Sequence, residues 1–207
     1  MNFKSADAAI RDMNKRNLRA FDGLKLLKFD ELNVMRSVSK VYDDSVRLAK
    51  KRYLRLAIEA YIDALILCKI ARERAEEMAE DSITEDWILD MLEDYDSVTL
   101  YQFDSEVERK KQRLAESLLA SLNKNEAVDR ALRLWTGQVR QYADNSVVRA
   151  TIDGYKAAGV KKARWETEAD ERVCETCNKR NGKVYDIDKV PPVPHPRCRC
   201  LLWPVID

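Results

Sequence analysis

The stretch DELNVMRSVSKVYDDSVRLAKKRYLRLAIEAYIDALILCKIARERAEEMAE, residues 30–80, decides the fold class of this chain. It contains neither proline nor glycine, and its apolar side chains recur at the three- and four-residue spacing of a helix. At about 1.5 Å per residue, an unbroken helix of this length would extend roughly 75 Å. We therefore expect either a break, near residues 50–52, or a helix that reaches along a larger partner. Asp30 is its predicted N-cap.

The residues that follow this stretch also have mostly helical patterns. Ser82 and Glu85 fit a capping box, which predicts a short helix after them. Residues 97–103 are β-branched and aromatic, and they predict an extended segment. Asp104 and Asn125 are the predicted N-caps of the next two helices.

The last helical stretch before the C-terminal region is expected over about residues 137–158. Gly154 is a predicted weak point in it, because glycine has a low helix propensity. The whole chain of 207 residues has only 5 Gly and 5 Pro, while 35% of its residues are charged. This composition favours helices with long solvated faces over a sheet or barrel rich in turns.

Charge is distributed unevenly along the chain, although the net charge is only +1. Residues 71–108 carry 2 basic and 14 acidic side chains, whereas the segments on both sides are net positive. This pattern argues against a uniformly basic nucleic-acid binder. The acidic block is interpreted either as solvated helix faces or as a surface for a charged partner.

The chain has no stretch close to the ~18 uncharged apolar residues of a membrane span. Residues 1–10 lack the apolar core of a secretory signal. We therefore expect no membrane partner and folding in a cytosol, where thiols stay reduced and disulfides are rare.

The composition changes at Gly159. The prolines, four of the five cysteines and the only histidine follow it, together with short runs at residues 160–167 and 183–187 that predict strands. The region after Gly159 has too few apolar residues to form a stable core alone. A metal is therefore expected to hold this region together.

Cysteine and histidine spacing predicts the metal site. Cys174 and Cys177 form C-x-x-C, and His195, Cys198 and Cys200 follow in the order H-P-R-C-R-C. C-x-x-C places two thiolates on one turn, along an edge of a tetrahedron. Soft thiolates with at most one imidazole select zinc over magnesium or calcium. We predict one structural zinc held by Cys174, Cys177 and two of the other three, with Cys198 and Cys200 preferred over His195 and Cys198.

Other interpretations of these residues remain open. A redox C-x-x-C normally opens a helix in a thioredoxin-like unit, and a catalytic zinc of the deaminase type needs an H-x-E partner; neither pattern is present. Reduced cysteines packed without metal are a third alternative, and Cys68 is expected to be a buried apolar residue. Trp165, Tyr185 and Trp203 are expected to pack beneath the zinc or to anchor a partner.

The chain offers no sequence pattern of an enzyme, since G-x-S-x-G, Walker and H-E-x-x-H motifs are missing. We therefore predict that it is not an enzyme. Two basic helical tracts are candidates for weak, non-specific contacts with DNA phosphates. Their residues are Lys50, Lys51, Arg52, Arg109, Lys110 and Lys111.

The same C-terminal region resembles a known family. Its landmarks run in order from Trp165 through D-E-R-V-C-E-T-C, residues 170–177, then Gly182, then H-P-R-C-R-C, residues 195–200. This order resembles the C-terminal module of phage minor head proteins, the Mu F and SPP1 gp7 head-morphogenesis family. The resemblance covers about the last 60 residues, from near Arg149.

The resemblance implies a protein present in few copies at the portal, on one vertex of the capsid. It further implies a part in procapsid assembly and in DNA packaging or ejection. The expected partners are the portal protein and the capsid and scaffold proteins, while self-association and non-specific binding of double-stranded DNA are further candidates. The expected location is the virion, in the capsid interior or at the portal vertex, after assembly in the host bacterial cytoplasm.

These observations lead to one overall prediction. The fold is mainly α, with an elongated helical body over residues 1–148 and a small C-terminal α+β module, stapled by zinc, over residues 149–207. The predicted function is that of a non-enzymatic minor head protein. The alternative is a zinc-containing DNA-binding protein that acts independently of the portal.

Overall fold

The computed structural model describes residues 3–26, 31–94, 103–120, 123–168, 171, 173–195 and 198–206. Over these residues the chain forms seven α-helices and one three-stranded sheet, which confirms the mainly α class with a small C-terminal α+β module. The helices are α1 (Phe3–Leu24), α2 (Glu31–Leu67), α3 (Arg72–Ser82), α4 (Glu85–Asp94), α5 (Phe103–Ala120), α6 (Lys124–Ala157) and α7 (Glu175–Arg180). The strands are β1 (Lys162–Glu166), β2 (Val184–Asp186) and β3 (Leu201–Val205).

Helix α2 is the long central helix of the body. Its 37 residues extend about 55 Å. The break predicted near residues 50–52 is wrong, because α2 continues through them. The helix ends at Leu67, and Lys69 then takes a left-handed φ of 65° as the chain turns into α3. The predicted N-cap, Asp30, lies outside the described residues.

Two predicted helix starts before α6 need correction. Ser82 is the last residue of α3, and the cap of α4 is Thr84, whose Oγ1 accepts a hydrogen bond of 3.3 Å from the Trp87 amide. Asp104 does not cap α5 but lies inside its first turn. Of the predicted extended segment, only Phe103 is described, and it is the first residue of α5.

Helix α6 is one continuous helix of 34 residues where two stretches were expected. Its cap is Asn123 and not the predicted Asn125: the Asn123 side chain accepts a hydrogen bond from the Glu126 amide at 3.3 Å. Residue 137, a glycine, does not interrupt it, because packing along its length outweighs the low helix propensity of one glycine.

Helices α2 and α6 form the largest interface between helices in the body. Gly154 lies where their backbones come close together. A Cβ built at Gly154 would lie 2.9 Å from Ala64 Cβ and 2.9 Å from the Tyr61 carbonyl oxygen. Gly154 is therefore a site of close helix packing, not a weak point, since α6 continues past it to Ala157.

Buried side chains form two neighbouring apolar clusters. The larger one, the body core, joins α1 to α6 and contains edge-to-face rings of Phe21, Tyr42 and Trp135, with centroids 5.3 and 5.2 Å apart. The smaller one, the module core, contains Trp165, Leu202 and three of the predicted zinc ligands. Side chains of α6 belong to both clusters, so α6 fixes the module to the body.

The sheet has the order β2-β1-β3, and both pairs are antiparallel. The strands β1 and β2 confirm the runs expected at residues 160–167 and 183–187, whereas β3 was not predicted. The outer edge of β3 is protected, because Pro204 has no N–H and the Leu202 carbonyl accepts a hydrogen bond of 2.8 Å from the Tyr155 hydroxyl. The edge is thus held against α6.

Candidate metal centre

The first two predicted ligands lie at the start of helix α7. Cys174 is the N-cap of α7, and Cys177 lies in its first turn. The Cys177 backbone N–H donates a hydrogen bond of 3.3 Å to Cys174 Sγ. The interaction that begins the helix therefore also turns the Cys174 sulfur toward Cys177. Gly182, with a φ of 73°, then allows the chain to turn back into β2.

The other predicted ligands lie on the segment that leads into β3. His195 Nε2 lies 3.1 Å from Cys174 Sγ and 3.4 Å from Cys177 Sγ. Cys198 Sγ lies 3.6 Å from Cys177 Sγ. Because β3 pairs with β1, and α7 follows β1 along the chain, the sheet brings the two halves of the motif together.

The five predicted ligands form one cluster centred on Cys177. The ligand atoms of Cys174, Cys177 and His195 lie within 4.8 Å of one another, and so do those of Cys177, Cys198 and Cys200. Cys177 is the residue that both groups share. The five side chains together could hold a metal ion.

The cluster forms part of the module core. Cys177, Cys198 and Cys200 are 3%, 2% and 6% exposed, while Cys174 and His195 are half-buried. Trp165 is 1% exposed, and its ring stacks under the Arg180 guanidinium at 5.0 Å. The structure therefore places Trp165 in the packed position, whereas Trp203 is 37% exposed.

The indole N–H of Trp165 lies beside the cluster of Cys and His side chains. It is buried and completes no hydrogen bond of ordinary geometry in the described part of the chain. It lies near enough to the Cys200 sulfur to help lower the pKa of that thiol. A buried donor in this position favours a charged sulfur at Cys200, as a metal-bound thiolate would be.

The thiols influence one another's ionisation. Burial, followed by the contacts with Cys200 and Cys174, raises the pKa of Cys177 to about 12. The hydrogen bond with Cys200, followed by burial, raises the pKa of Cys198 well above its usual range. The hydrogen bond with Cys198 is the main cause that lowers the pKa of Cys200 to about 6. Burial opposes ionisation of Cys174, but hydrogen bonds from Cys177 and His195 outweigh it and lower its pKa.

Soft sulfur donors with one imidazole suit a metal ion such as zinc, and the ligand atoms lie close together in two groups of three that share Cys177. Zinc bonds of about 2.3 Å to sulfur and 2.0 Å to nitrogen would separate neighbouring ligand atoms by roughly 3.5–3.8 Å. The separations of 3.4 and 3.6 Å around Cys177 are close to this range, and 3.1 Å from His195 to Cys174 is shorter. A cation at the centre would supply the positive charge that otherwise comes from protons on the thiols.

The first basic tract predicted for DNA contacts is largely occupied by ion pairs within the body. Arg52 bonds Asp12 of α1 at 2.8 Å. Lys50 lies 3.7 Å from Asp104 of α5 and over the Phe103 ring. Of the three residues of this tract, only Lys51 is exposed.

The second basic tract lies on α5 and faces the body. Arg109 and Lys110 both pair with the buried Glu106. Lys111 is 7% exposed and lies 2.6 Å from Asp43 of α2. Lys111 thus joins α5 to α2, whereas the ion pairs of Arg109 and Lys110 lie within α5. The structure does not bring these residues together with the Cys and His cluster.

Sequence reasoning missed two contributors to the module core, strand β3 and Tyr155. Tyr155 lies on α6, and its hydroxyl bonds the Leu202 carbonyl. The run Leu201–Val205 is apolar, but a proline such as Pro204 is rare inside strands because it has no N–H to donate to a neighbouring strand. Its position on an edge removes this objection. Nothing local in the sequence indicates the contact of Tyr155.

The fold and the cluster define a mainly helical protein with a small C-terminal module whose Cys and His side chains could hold a metal ion. Residues 110–203 match the family model described as Phage Mu protein F like protein. This part of the chain is therefore similar to the phage head-morphogenesis family that the motif order resembles. The match begins in α5, well before Arg149, and includes the whole of α6. No curated protein and no solved structure matches the chain.

None of the described helices combines the length and the apolar character needed to cross a bilayer.

Proposed function

We propose that the chain is a non-enzymatic minor head protein of a tailed bacteriophage or prophage. It binds the portal vertex during procapsid assembly and assists DNA packaging or ejection. The single observation that carries this proposal is the match of residues 110–203 to Phage Mu protein F like protein. The protein acts in the virion, in the capsid interior or at the portal vertex, after assembly in the host bacterial cytoplasm.

The metal in this proposal is one structural zinc. Cys174, Cys177 and Cys198 hold it with a fourth ligand, for which Cys200 is preferred to His195. The donor set of thiolates and one imidazole supports zinc over harder cations. Four protein ligands leave no open position for a substrate, which supports a structural role. When bound, the ion supplies a crosslink between α7 and the start of β3.

Two functional parts are proposed, residues 1–148 as the docking body and residues 149–207 as the module. The division into body core and module core supports it. Because α6 contributes to both cores, a force or contact on one part is transmitted to the other through a rigid helix. The proposed partners of this assembly are the portal protein and the capsid and scaffold proteins.

The rival function is DNA binding independent of the portal. The ion pairs of Arg52, Arg109, Lys110 and Lys111 weigh against it, since a phosphate would have to displace a carboxylate already in place. Weak DNA contact remains a secondary candidate property, with Lys51 the most accessible of the six predicted residues.

Co-purification tests this function against its rival. The full chain, carrying an affinity tag, is expressed with candidate portal, capsid and scaffold proteins, and retained proteins are compared at low and high salt. We expect retention of the portal protein at both salt concentrations. In a parallel titration, we expect DNA binding to be weak and lost at high salt.

A matched variant identifies the source of any DNA binding. Lys51→Glu changes the exposed residue of the first tract and is expected to leave portal retention unchanged. Tight, salt-dependent DNA binding with no retention of any head protein would contradict the proposal and favour the rival.

A further inference from the structure

A groove lies between the C-terminal half of α5 and the N-terminal half of α6. Its volume is about 720 Å³. Tyr42, Leu114 and Ala131 contribute an apolar lining, and Leu134 at the margin is 57% exposed. Among the described residues nothing closes the groove, so they leave an apolar surface uncovered there.

Two arginines at this groove have no partner among the described residues. Arg113 and Arg130 line it, and neither makes an ion pair or hydrogen bond with another described residue. Their neighbour Lys110, in contrast, is neutralised by Glu106. The groove therefore combines an apolar lining with two available positive charges, which suits a helix that presents both leucine and carboxylates.

Helix α4 presents such a face. Leu89 is 43% exposed at its centre. The residues around Leu89 on that face are all exposed carboxylates, namely Glu85, Asp86, Asp90 and Glu93. None of the four makes an ion pair within the described part of the chain. The buried side of α4 is fixed to the body, where the Trp87 indole donates a hydrogen bond of 2.9 Å to Asp153.

The two surfaces cannot meet within one molecule. Arg130 lies near the start of α6, whereas α4 is attached beside Asp153 near its end. With a rise of about 1.5 Å per residue, these points on α6 are roughly 35 Å apart. A contact between them requires a second copy of the chain.

We infer that the α5–α6 groove binds helix α4 of a second copy, with Leu89 on the apolar lining and the carboxylates of α4 against Arg113 and Arg130. The groove also contains Glu116 and Glu126, which oppose a uniformly anionic ligand such as a nucleic acid, whereas its apolar lining suits a helix with an apolar centre. The contact joins two different surfaces, so it closes as a dimer when both grooves are filled reciprocally and otherwise forms a ring or chain. The inference does not depend on the proposed role at the portal.

Charge reversal tests this contact in the full chain. The groove variant is Arg113→Glu with Arg130→Glu, and the helix variant is Asp86→Lys with Asp90→Lys. Sedimentation velocity over a concentration series measures association at low and high salt. We expect the wild type to associate, and each variant alone to associate at least about tenfold more weakly, because like charges then face each other.

Mixing the two variants distinguishes the contact from a folding defect. The reversed groove of one variant then meets the reversed helix of the other, so association is expected to return. Lys15→Glu with Arg19→Glu, which changes the charge equally on the exposed side of α1, is the control and should associate like the wild type. The inference is overturned if the wild type remains a single chain throughout, if both reversals leave association unchanged, or if the mixture fails to associate. It is also overturned if double-stranded DNA, titrated separately, binds the groove while no association between copies is detected.

Discussion

Replacing Cys177 by serine is expected to remove the bound metal and unfold the C-terminal module. Cys177 is the residue shared by both groups of ligand atoms, so its replacement disrupts both of them. Structural zinc contributes roughly 10 kcal/mol or more to the folding of small zinc domains. Elemental analysis measures the metal, and hydrogen exchange followed by mass spectrometry measures protection at β1, β2 and β3 against that in α2.

Cys68→Ser is the matched control for this experiment. Cys68 is half-buried beside the module core but lies outside the cluster of ligand atoms. We expect this variant to keep its metal and the wild-type exchange pattern in the sheet. The prediction fails if Cys177→Ser and Cys68→Ser behave alike, with metal and strand protection retained in both.

A methyl group at Gly154 is expected to destabilise the whole body. In Gly154→Ala the new Cβ would lie 2.9 Å from Ala64 Cβ and from the Tyr61 carbonyl oxygen, and neither atom can move without a shift of the backbone. Overpacking of this kind costs about 1–3 kcal/mol, because α2 and α6 must move apart. Chemical denaturation of the purified protein measures the free energy of unfolding.

Gly137→Ala provides a control in the same helix. A Cβ at Gly137 has no neighbour within 4 Å, so alanine there should raise stability by about 0.5–1 kcal/mol through its better helix propensity. The two substitutions are chemically identical and are expected to change the free energy of unfolding in opposite directions. Equal stability of the Gly154→Ala and Gly137→Ala proteins would show that α2 and α6 are not in close contact at this point.

Helix class was predictable from sequence because its signal is local, whereas helix boundaries depended on tertiary contacts. The apolar periodicity identified α2, but this periodicity continues in the sequence past Leu67, where the helix ends. The turn at Lys69 depends on where α3 packs. The capping errors have the same origin: Thr84 and Asn123 compete with nearby residues of equal capping ability, and packing of the following apolar side chains selects between them. Propensity alone also misjudged Gly154, whose role depends on residues about 90 positions earlier in the chain.

The sequence predicted the residues of the candidate site more completely than it predicted the fold around them. Fixed spacing places Cys174 and Cys177 on one turn, and H-P-R-C-R-C supplies the second half, so the candidate ligands needed no tertiary information. The centrality of Cys177 could not be predicted, because it results from the pairing of β3 with β1. The internal ion pairs of the basic tracts could not be predicted for a related reason, since the partners of Arg52 and Lys111 come from other helices.

The metal content of the purified full-length protein tests the central claim most directly. The claim is that one structural zinc, held by the cluster around Cys177, closes the module. Elemental analysis of protein purified without added metal or chelator is expected to find about one zinc per chain. Intact protein with a protected, folded sheet and no stoichiometric metal would contradict the account.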